Sequence, residues 1–235
     1  MGPALLVADD DDRIAEVLRR RLRGAVAVPA REGFPRTHFT LGNDGALVDG
    51  AIAVDGRWLE LGALSGVLFR PGRAWRRRRA ATTVRQAFNR HERRAAWSAW
   101  LAALPCTVAN RLPPAWFIAP DLHRQALSRS FAAAAGLAAL SAGGVSLESS
   151  SRMYFVGGAF VGSGIGIAAP VRPLQDCRED VERWCAGTGI LLGRIDLSLG
   201  RDGLEVAAVE PVPSLRDETD TVVDRLCRLL ASRFA

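Results

Sequence analysis

The chain has 235 residues, 49% of them hydrophobic, with a formal charge of +6 and a pI of about 10.3, which allows one large core or two smaller ones. No apolar run reaches membrane-spanning length, and the start MGPALLVADDDD lacks a basic n-region, so neither a membrane span nor a secretory signal is expected. All 31 basic residues are arginine, which excludes Schiff-base, P-loop and general-base lysines, because a guanidinium stays protonated at neutral pH.

Ala4–Ala8 (ALLVA) predicts a buried strand. It leads through Asp9–Asp12 into a helix with Ile14, Val17, Leu18 and Leu22 on one face, closed by Gly24. Val26–Val28 is the next strand, and a strand–helix–strand opening predicts a parallel α/β sheet. Short strands are expected within Ala46–Val54, with a turn at Asp49-Gly50, within Trp58–Leu61, and over Gly66–Arg70, which runs into Pro71-Gly72. After a polar, arginine-rich stretch at 73–83 comes a long amphipathic helix carrying Val84, Phe88, Trp97, Trp100, Leu101 and Leu104. Thr107–Asn110 reads as a strand, and a second helix runs from about Asp121 to Gly136. Met153–Ile167 reads as a hairpin turning at Gly157-Gly158, and Leu174, Cys177, Val181, Trp184 and Cys185 mark another helix. A second hairpin, GRIDLSLGRDGLEVAAVEPVPSL, precedes a closing helix at Asp220–Phe234. The four cysteines, Cys106, Cys177, Cys185 and Cys227, form no CxxC pair and read as reduced thiols of a cytoplasmic protein.

Few constellations carry chemistry. Asp9–Asp12 would suit the magnesium site of a receiver domain, but that chemistry needs a lysine further on; acids favoured by a helix dipole account for them. Arg70, Arg73, Arg76, Arg77, Arg78 and Arg79 place six guanidinium groups within ten residues, able to contact phosphates or an acidic ligand. No aromatic-interleaved nucleic-acid motif accompanies them. His91 and Glu92 follow on the long helix, where His91 should lie partly buried beside Val84, Phe88 and Ala95; no H-x-x-x-H partner exists. GSGIG lacks the G-x-S-x-G order of a nucleophile elbow. In the second hairpin, a three-residue loop at Arg201-Asp202-Gly203 would set Asp196 opposite Ala208 and Arg194 opposite Glu210, with both acids on one face. That spacing permits a cation site, and it equally permits an Arg194–Glu210 pair.

The order of these pieces resembles the ATP-grasp proteins of the RimK-type, microviridin-ligase-like group, which join a carboxylate to an amine through an acyl phosphate. ALLVADDDD to GVLFRPGRAW is similar to their pre-ATP-grasp domain, with Arg70-Pro71 at its closing strand. NRHERRAAWSAWLAALPCTVANRLPPAW is similar to the following helix, strand and asparagine–proline turn, LHRQALSRSFAAAAGL to a helix that begins with an ATP-contacting lysine, and RMYFVGGAFVGSGI and IDLSLGRDGLEVAAVEPVPSL to the two hairpins. The resemblance implies metal carboxylates at Asp196 and Glu210. The chain departs from it at three places. Gln125 stands near the lysine position, only about fifteen residues (Leu137 to Ser151) occupy the place of a nucleotide-gripping lobe, and Glu210-Pro211-Val212-Pro213 replaces Glu-x-Asn-Pro. Valine cannot ligate magnesium.

The expectation is therefore an α/β protein. A pre-ATP-grasp-like domain spans 1–112, and a truncated ATP-grasp-like α+β domain spans 113–235. It would belong to a peptide-modification or natural-product pathway and bind a peptide or acidic small molecule without a cofactor, either as partner subunit of a modifying enzyme or as a repurposed enzyme. Arg70, Arg73, Arg76, Arg77, Arg78, Arg79, His91, Glu92, Asn110, His123 and Arg124 are the candidate ligand contacts, and a cytoplasmic homodimer is expected. The alternatives are a minimal ATP- and magnesium-dependent carboxylate–amine ligase using Asp196 and Glu210 for the metal, and nucleic-acid binding through the arginine loop.

Overall fold

The computed structural model describes residues 2–30, 37–71, 83–113, 116, 119–140, 151–166, 172–200 and 203–234. Chain contacts divide it into two units, Met1–Phe117 with Ala231–Ala235, and Ile118–Leu230.

The first unit is built on a parallel sheet of order β2-β1-β6-β7, with β1 at Ala4–Ala8, β2 at Val26–Pro29, β6 at Gly66–Arg70 and β7 at Thr107–Ala109. β1 and β6 are buried along their whole length, as strands covered on both faces must be. Helix α1 (Arg13–Arg21) starts at Asp12, whose Oδ1 accepts the Ala15 amide at 3.0 Å, and buries Ile14, Ala15 and Leu18. An antiparallel sheet of order β3-β4-β5 (Thr37–Leu41, Leu47–Val54, Arg57–Glu60) lies in the chain between β2 and β6. β4 runs straight through Asp49-Gly50, where a turn was expected, and the turn falls at Asp55-Gly56, both in the left-handed region (φ 49° and 76°).

Helix α2 (Val84–Ala103) follows a Thr83 cap whose Oγ1 accepts the Gln86 amide. Trp97, Trp100, Leu101 and Leu104 are buried, with Phe69, Trp97 and Trp100 in ring contact at 5.1 and 5.3 Å. Val84 and Phe88, expected on the same stripe, are exposed, and so is His91. At about 100° per residue the thirteen steps from Val84 to Trp97 leave Val84 about 140° out of phase, so one helical period cannot bury both ends.

The second unit carries a sheet of order β10-β9-β11-β12-β8. Its strands are β8 (Ala138–Ala139), β9 (Ser151–Val156), β10 (Ala159–Gly166), β11 (Leu192–Gly200) and β12 (Gly203–Glu210). β9 and β10 turn at Gly157-Gly158, both at positive φ, as the sequence predicts. Met153, Phe155, Ile195, Leu197, Val206 and Val209 form one core with Leu127 and Phe131 of α3 (Pro120–Ala134) and Val181, Trp184 and Cys185 of α5 (Arg178–Thr188). The expected single helix around Leu174–Cys185 is two, α4 (Arg172–Asp176) and α5. Helix α6 spans Asp220–Phe234; its Phe234 ring lies so close to Gly66 that an added Cβ would come within 2.4 Å of it.

Candidate functional site

Strand alternation sets the chemistry of the second unit. Residues at even positions of β9 and β11 point away from the core, placing Arg152, Tyr154, Arg194, Asp196 and Ser198 on one face, and the ladder sets Tyr154 beside Arg194 and Arg152 beside Asp196. On β12, Arg194 stands opposite Glu210 and Asp196 opposite Ala208, as expected. The route to that register is different. Gly200 pairs with Gly203, which leaves a two-residue connection, and Asp196 pairs with Ala208 while Leu197 pairs with Val206, so Ala207 is an extra residue. This bulge restores the phase that a two-residue loop alone would have shifted.

The two acids hold different partners from the pair expected. Glu210 Oε2 accepts from Arg124 Nη1 at 2.9 Å, across from α3, and Asp196 Oδ2 accepts from Arg194 Nη2 at 2.8 Å along its own strand. Arg194 therefore serves Asp196 and not Glu210: residues two apart on one strand share a face, and α3 brings a second guanidinium over the end of β12. Arg152 Nε lies 3.9 Å from Asp196 Oδ1. Glu210 Oε1 also accepts the Val212 amide at 3.2 Å. Burial works against the charge of Arg124, but its hydrogen bonds to Asp121 and Glu210 outweigh that and hold its pKa above the ordinary value. Asp196 and Ser198 are both about nine-tenths buried, and among the described residues neither Asp196 Oδ1 nor Ser198 Oγ has a hydrogen-bond partner.

A cavity of about 390 Å³ opens beside this cluster, between α3 and the edge of β12. Among the described residues β8 pairs with β12 only at Glu205 and Val206, and α3 faces Ala207–Glu210 beyond that pairing. Ser128 Oγ caps part of it by accepting the Val209 amide at 2.9 Å. Arg124, Gln125, Arg129 and Arg194 line the cavity with Asp121 and Glu210. Arg124 and Arg194 are already engaged by carboxylates, and among the described residues no hydrogen bond or ion pair engages the lining side chains of Gln125 and Arg129.

Next along the polar face, Glu218 is buried and accepts from the hydroxyls of Tyr154, at 2.9 Å, and of Ser163. Burial, then the bond to Glu218 and its charge, push the Tyr154 phenol well above its ordinary value, with Arg194 and Arg152 opposing. The neutral phenol is thus the native form, so its contribution to stability is complete below pH 10, the unfolded value, and is lost as pH rises through the higher folded value. Tyr154 is the chain's one tyrosine. Alkaline titration followed at the phenolate absorbance band is expected to show no native transition near pH 10, and ionisation coincident with unfolding above it. Tyr154→Phe should abolish the absorbance signal and flatten the stability–pH curve in that range.

The remaining candidate residues are distributed. Arg70, Asn110, His91 and Glu92 belong to the first unit: Arg70 is buried with its Nε on Asp12 Oδ2 at 2.7 Å, Asn110 is buried at φ 70°, and His91 and Glu92 are exposed on α2. Arg73, Arg76, Arg77, Arg78 and Arg79 lie outside the described residues. His123 sits on α3, its pKa lowered by burial, with Nε2 buried and, among the described residues, without a hydrogen-bond partner. Sequence reasoning missed Ser128, Arg129, Tyr154 and Glu218. The one signal for any of them is the alternation of Arg152 and Tyr154 with the apolar Met153 and Phe155 on β9. Among the described residues, no three His, Cys, Asp or Glu side chains converge as a metal-holding group.

No protein-family model and no curated protein matches the chain. Solved structures do. The fold is similar to the macrocyclase MdnC of Microcystis aeruginosa bound with precursor peptide MdnA, at TM-score 0.65 and 13% identity over 98% of this chain and 99% of that one. It is similar to the ATP-grasp ligase PsnB complexed with a phosphomimetic variant of its minimal precursor, Mg and ADP (0.61, 17%, 99% and 98%). A RiPP-associated ATP-grasp ligase of Chryseobacterium gregarium, in complex with ADP and a leader and core peptide, is also similar (0.56, 11%, 99% and 97%). The chain thus has the mixed α/β fold of ATP-grasp ligases along nearly its whole length.

Proposed function

We propose that the chain is an ATP-grasp-like protein of a peptide-modification pathway that binds a peptide without using ATP, as the partner subunit of a modifying enzyme or as a repurposed enzyme. The observation that carries this reading is the fate of the two acids: each is held by its own arginine, Glu210 by Arg124 and Asp196 by Arg194. Magnesium–ATP does not fit that donor set. A dication would have to displace two guanidinium groups from partly buried carboxylates, and Val212, where the ligase motif has a ligating asparagine, supplies only a backbone amide aimed at Glu210. Gln125 at the lysine position and the short Leu137–Ser151 connection support the same reading. In place of a triphosphate, the cavity presents Arg129 and Gln125, a donor set suited to a side-chain or terminal carboxylate of a peptide. The likeness to ligases solved with precursor peptides supports a peptide as partner.

Thermal unfolding with and without magnesium–ATP tests this. A nucleotide present at about a hundredfold its Kd stabilises the folded state by about 2.7 kcal/mol, whereas this protein should show no shift. A synthetic peptide rich in Asp and Glu should bind by calorimetry, and Arg129→Ala should weaken it about tenfold, the effect of one charge-assisted hydrogen bond. A clear magnesium–ATP shift that vanishes in Glu210→Gln would establish the minimal ligase instead.

A further inference from the structure

The antiparallel sheet of the first unit is acidic within a basic chain. Residues 37–60 carry four acids against one arginine, while the whole chain is +6. Register decides which of these groups share a face, because directly opposed residues of an antiparallel pair point to the same side. His38 and Glu60 both pair with Ala51, Trp58 pairs with Ala53, and Thr40 with Asp49. One face therefore presents His38, Thr40, Asp49, Trp58 and Glu60, all exposed, and Arg57 falls on the other. The His38 and Trp58 rings lean together, centroids 5.1 Å apart, over the alanines of β4, and Ala51 between them is 7% exposed. Trp58 itself stays 55% exposed. Glu60 lies about 7 Å from Trp58 along β5, and Asp49 is the diagonal neighbour of Glu60 at about 7–8 Å. Among the described residues no hydrogen bond or ion pair engages the side chains of Asp49 and Glu60.

We propose that this face docks a basic, extended segment of a partner polypeptide, with one arginine laid on Trp58 against Glu60 and the next paired with Asp49. In an extended chain, residues two apart point to one side about 7 Å from each other, close to the spacing of the two acids. A guanidinium suits the first position because it is planar and weakly hydrated, so it stacks on the indole while its edge donates to the carboxylate. Charge decides the occupant. A nucleic acid or an anionic membrane would set phosphates against two carboxylates, and a purely apolar segment would cover Asp49 and Glu60 without a counter-charge. The surface belongs to the first unit, shares no residue with the β12 cavity and calls for a ligand of the opposite sign, so it does not rest on how that cavity is used.

Fluorescence anisotropy with a labelled synthetic peptide that alternates arginine and threonine tests it. That peptide should bind the full chain, more weakly as salt is raised. Asp49→Asn/Glu60→Gln should weaken binding about tenfold. Trp58→Leu, which still covers the alanines of β4, should weaken it about threefold, the effect of an exposed cation–π contact. Circular dichroism and thermal unfolding of these variants should match wild type, since a purely structural role would move the melting temperature and leave the affinity alone. Arg129→Ala should leave this binding unchanged, which separates it from the cavity. No binding of the arginine peptide, or an unchanged affinity in Asp49→Asn/Glu60→Gln, would overturn the proposal. So would self-association of the chain that the same pair of substitutions abolishes, because the occupant would then be a second copy.

Discussion

Asp12→Ala is expected to lower the stability of the protein by about 3–5 kcal/mol, the cost of removing one partner of a buried ion pair. Asp12 does two things at once. Its Oδ1 caps α1 through the Ala15 amide, and its Oδ2 receives Arg70 Nε at 2.7 Å. Arg70 is 4% exposed at the end of β6, so alanine at position 12 takes from a buried guanidinium the carboxylate that its Nε donates to. Asp12→Asn separates the roles: the amide oxygen still caps the helix, so the loss should be smaller by about 1 kcal/mol, the ordinary value of a cap. Adding Arg70→Met to Asp12→Asn should recover most of the loss, because two neutral groups of similar shape replace the pair. Urea denaturation followed by tryptophan fluorescence measures all three. An Asp12→Ala variant within about 0.5 kcal/mol of wild type, the range of an ordinary surface change, would show that the pair holds nothing together.

Arg111→Ala should cost about 3 kcal/mol, from four hydrogen bonds each worth roughly 1 kcal/mol net and partly open to solvent. Helix α2 ends without a glycine cap, at Leu104 in extended conformation. Arg111 supplies the missing donors. Nη1 reaches the carbonyls of Leu101 and Ala102 at 2.8 and 2.9 Å, and Nη2 those of Leu104 and Cys106 at 2.8 and 2.9 Å. A guanidinium can do this because its two terminal nitrogens diverge in one plane and carry two protons each. Burial pulls Arg111 below the ordinary arginine value, with the neighbouring Cys106 opposing. Arg111→Lys should recover less than half the loss, since one ammonium centre cannot span four acceptors. Full recovery by lysine would mean that charge near the helix end matters and the forked geometry does not.

Much of the fold was legible because hydrophobic period and turn chemistry are local. ALLVA and GVLFR read as buried strands and Gly157-Gly158 as a hairpin turn, and each stands so in the structure, whereas the first helix stops at Arg21 with Leu22 extended, before the Gly24 expected to close it. The misses come where period is not enough. Val84 and Phe88 have helical spacing, but phase accumulates along twenty residues, and apolar side chains at both ends of α2 cannot share one face. The turn expected at Asp49-Gly50 is a strand interior because the tighter Asp55-Gly56 takes it.

For the site, the sequence by itself determined which groups exist: no lysine anywhere, a glutamine near the lysine position, a valine in place of an asparagine, and two acids on one hairpin. It also determined that Asp196 and Glu210 could share a face. Only the tertiary structure decided their partners. The bulge at Ala207 sets the phase of β12, and α3, more than eighty residues away in the chain, carries Arg124 onto Glu210 and frees Arg194 for Asp196. The physical reason is range. Strand alternation and turn preference act over a few residues and can be read in order, whereas an ion pair forms between whatever groups packing brings within about 4 Å.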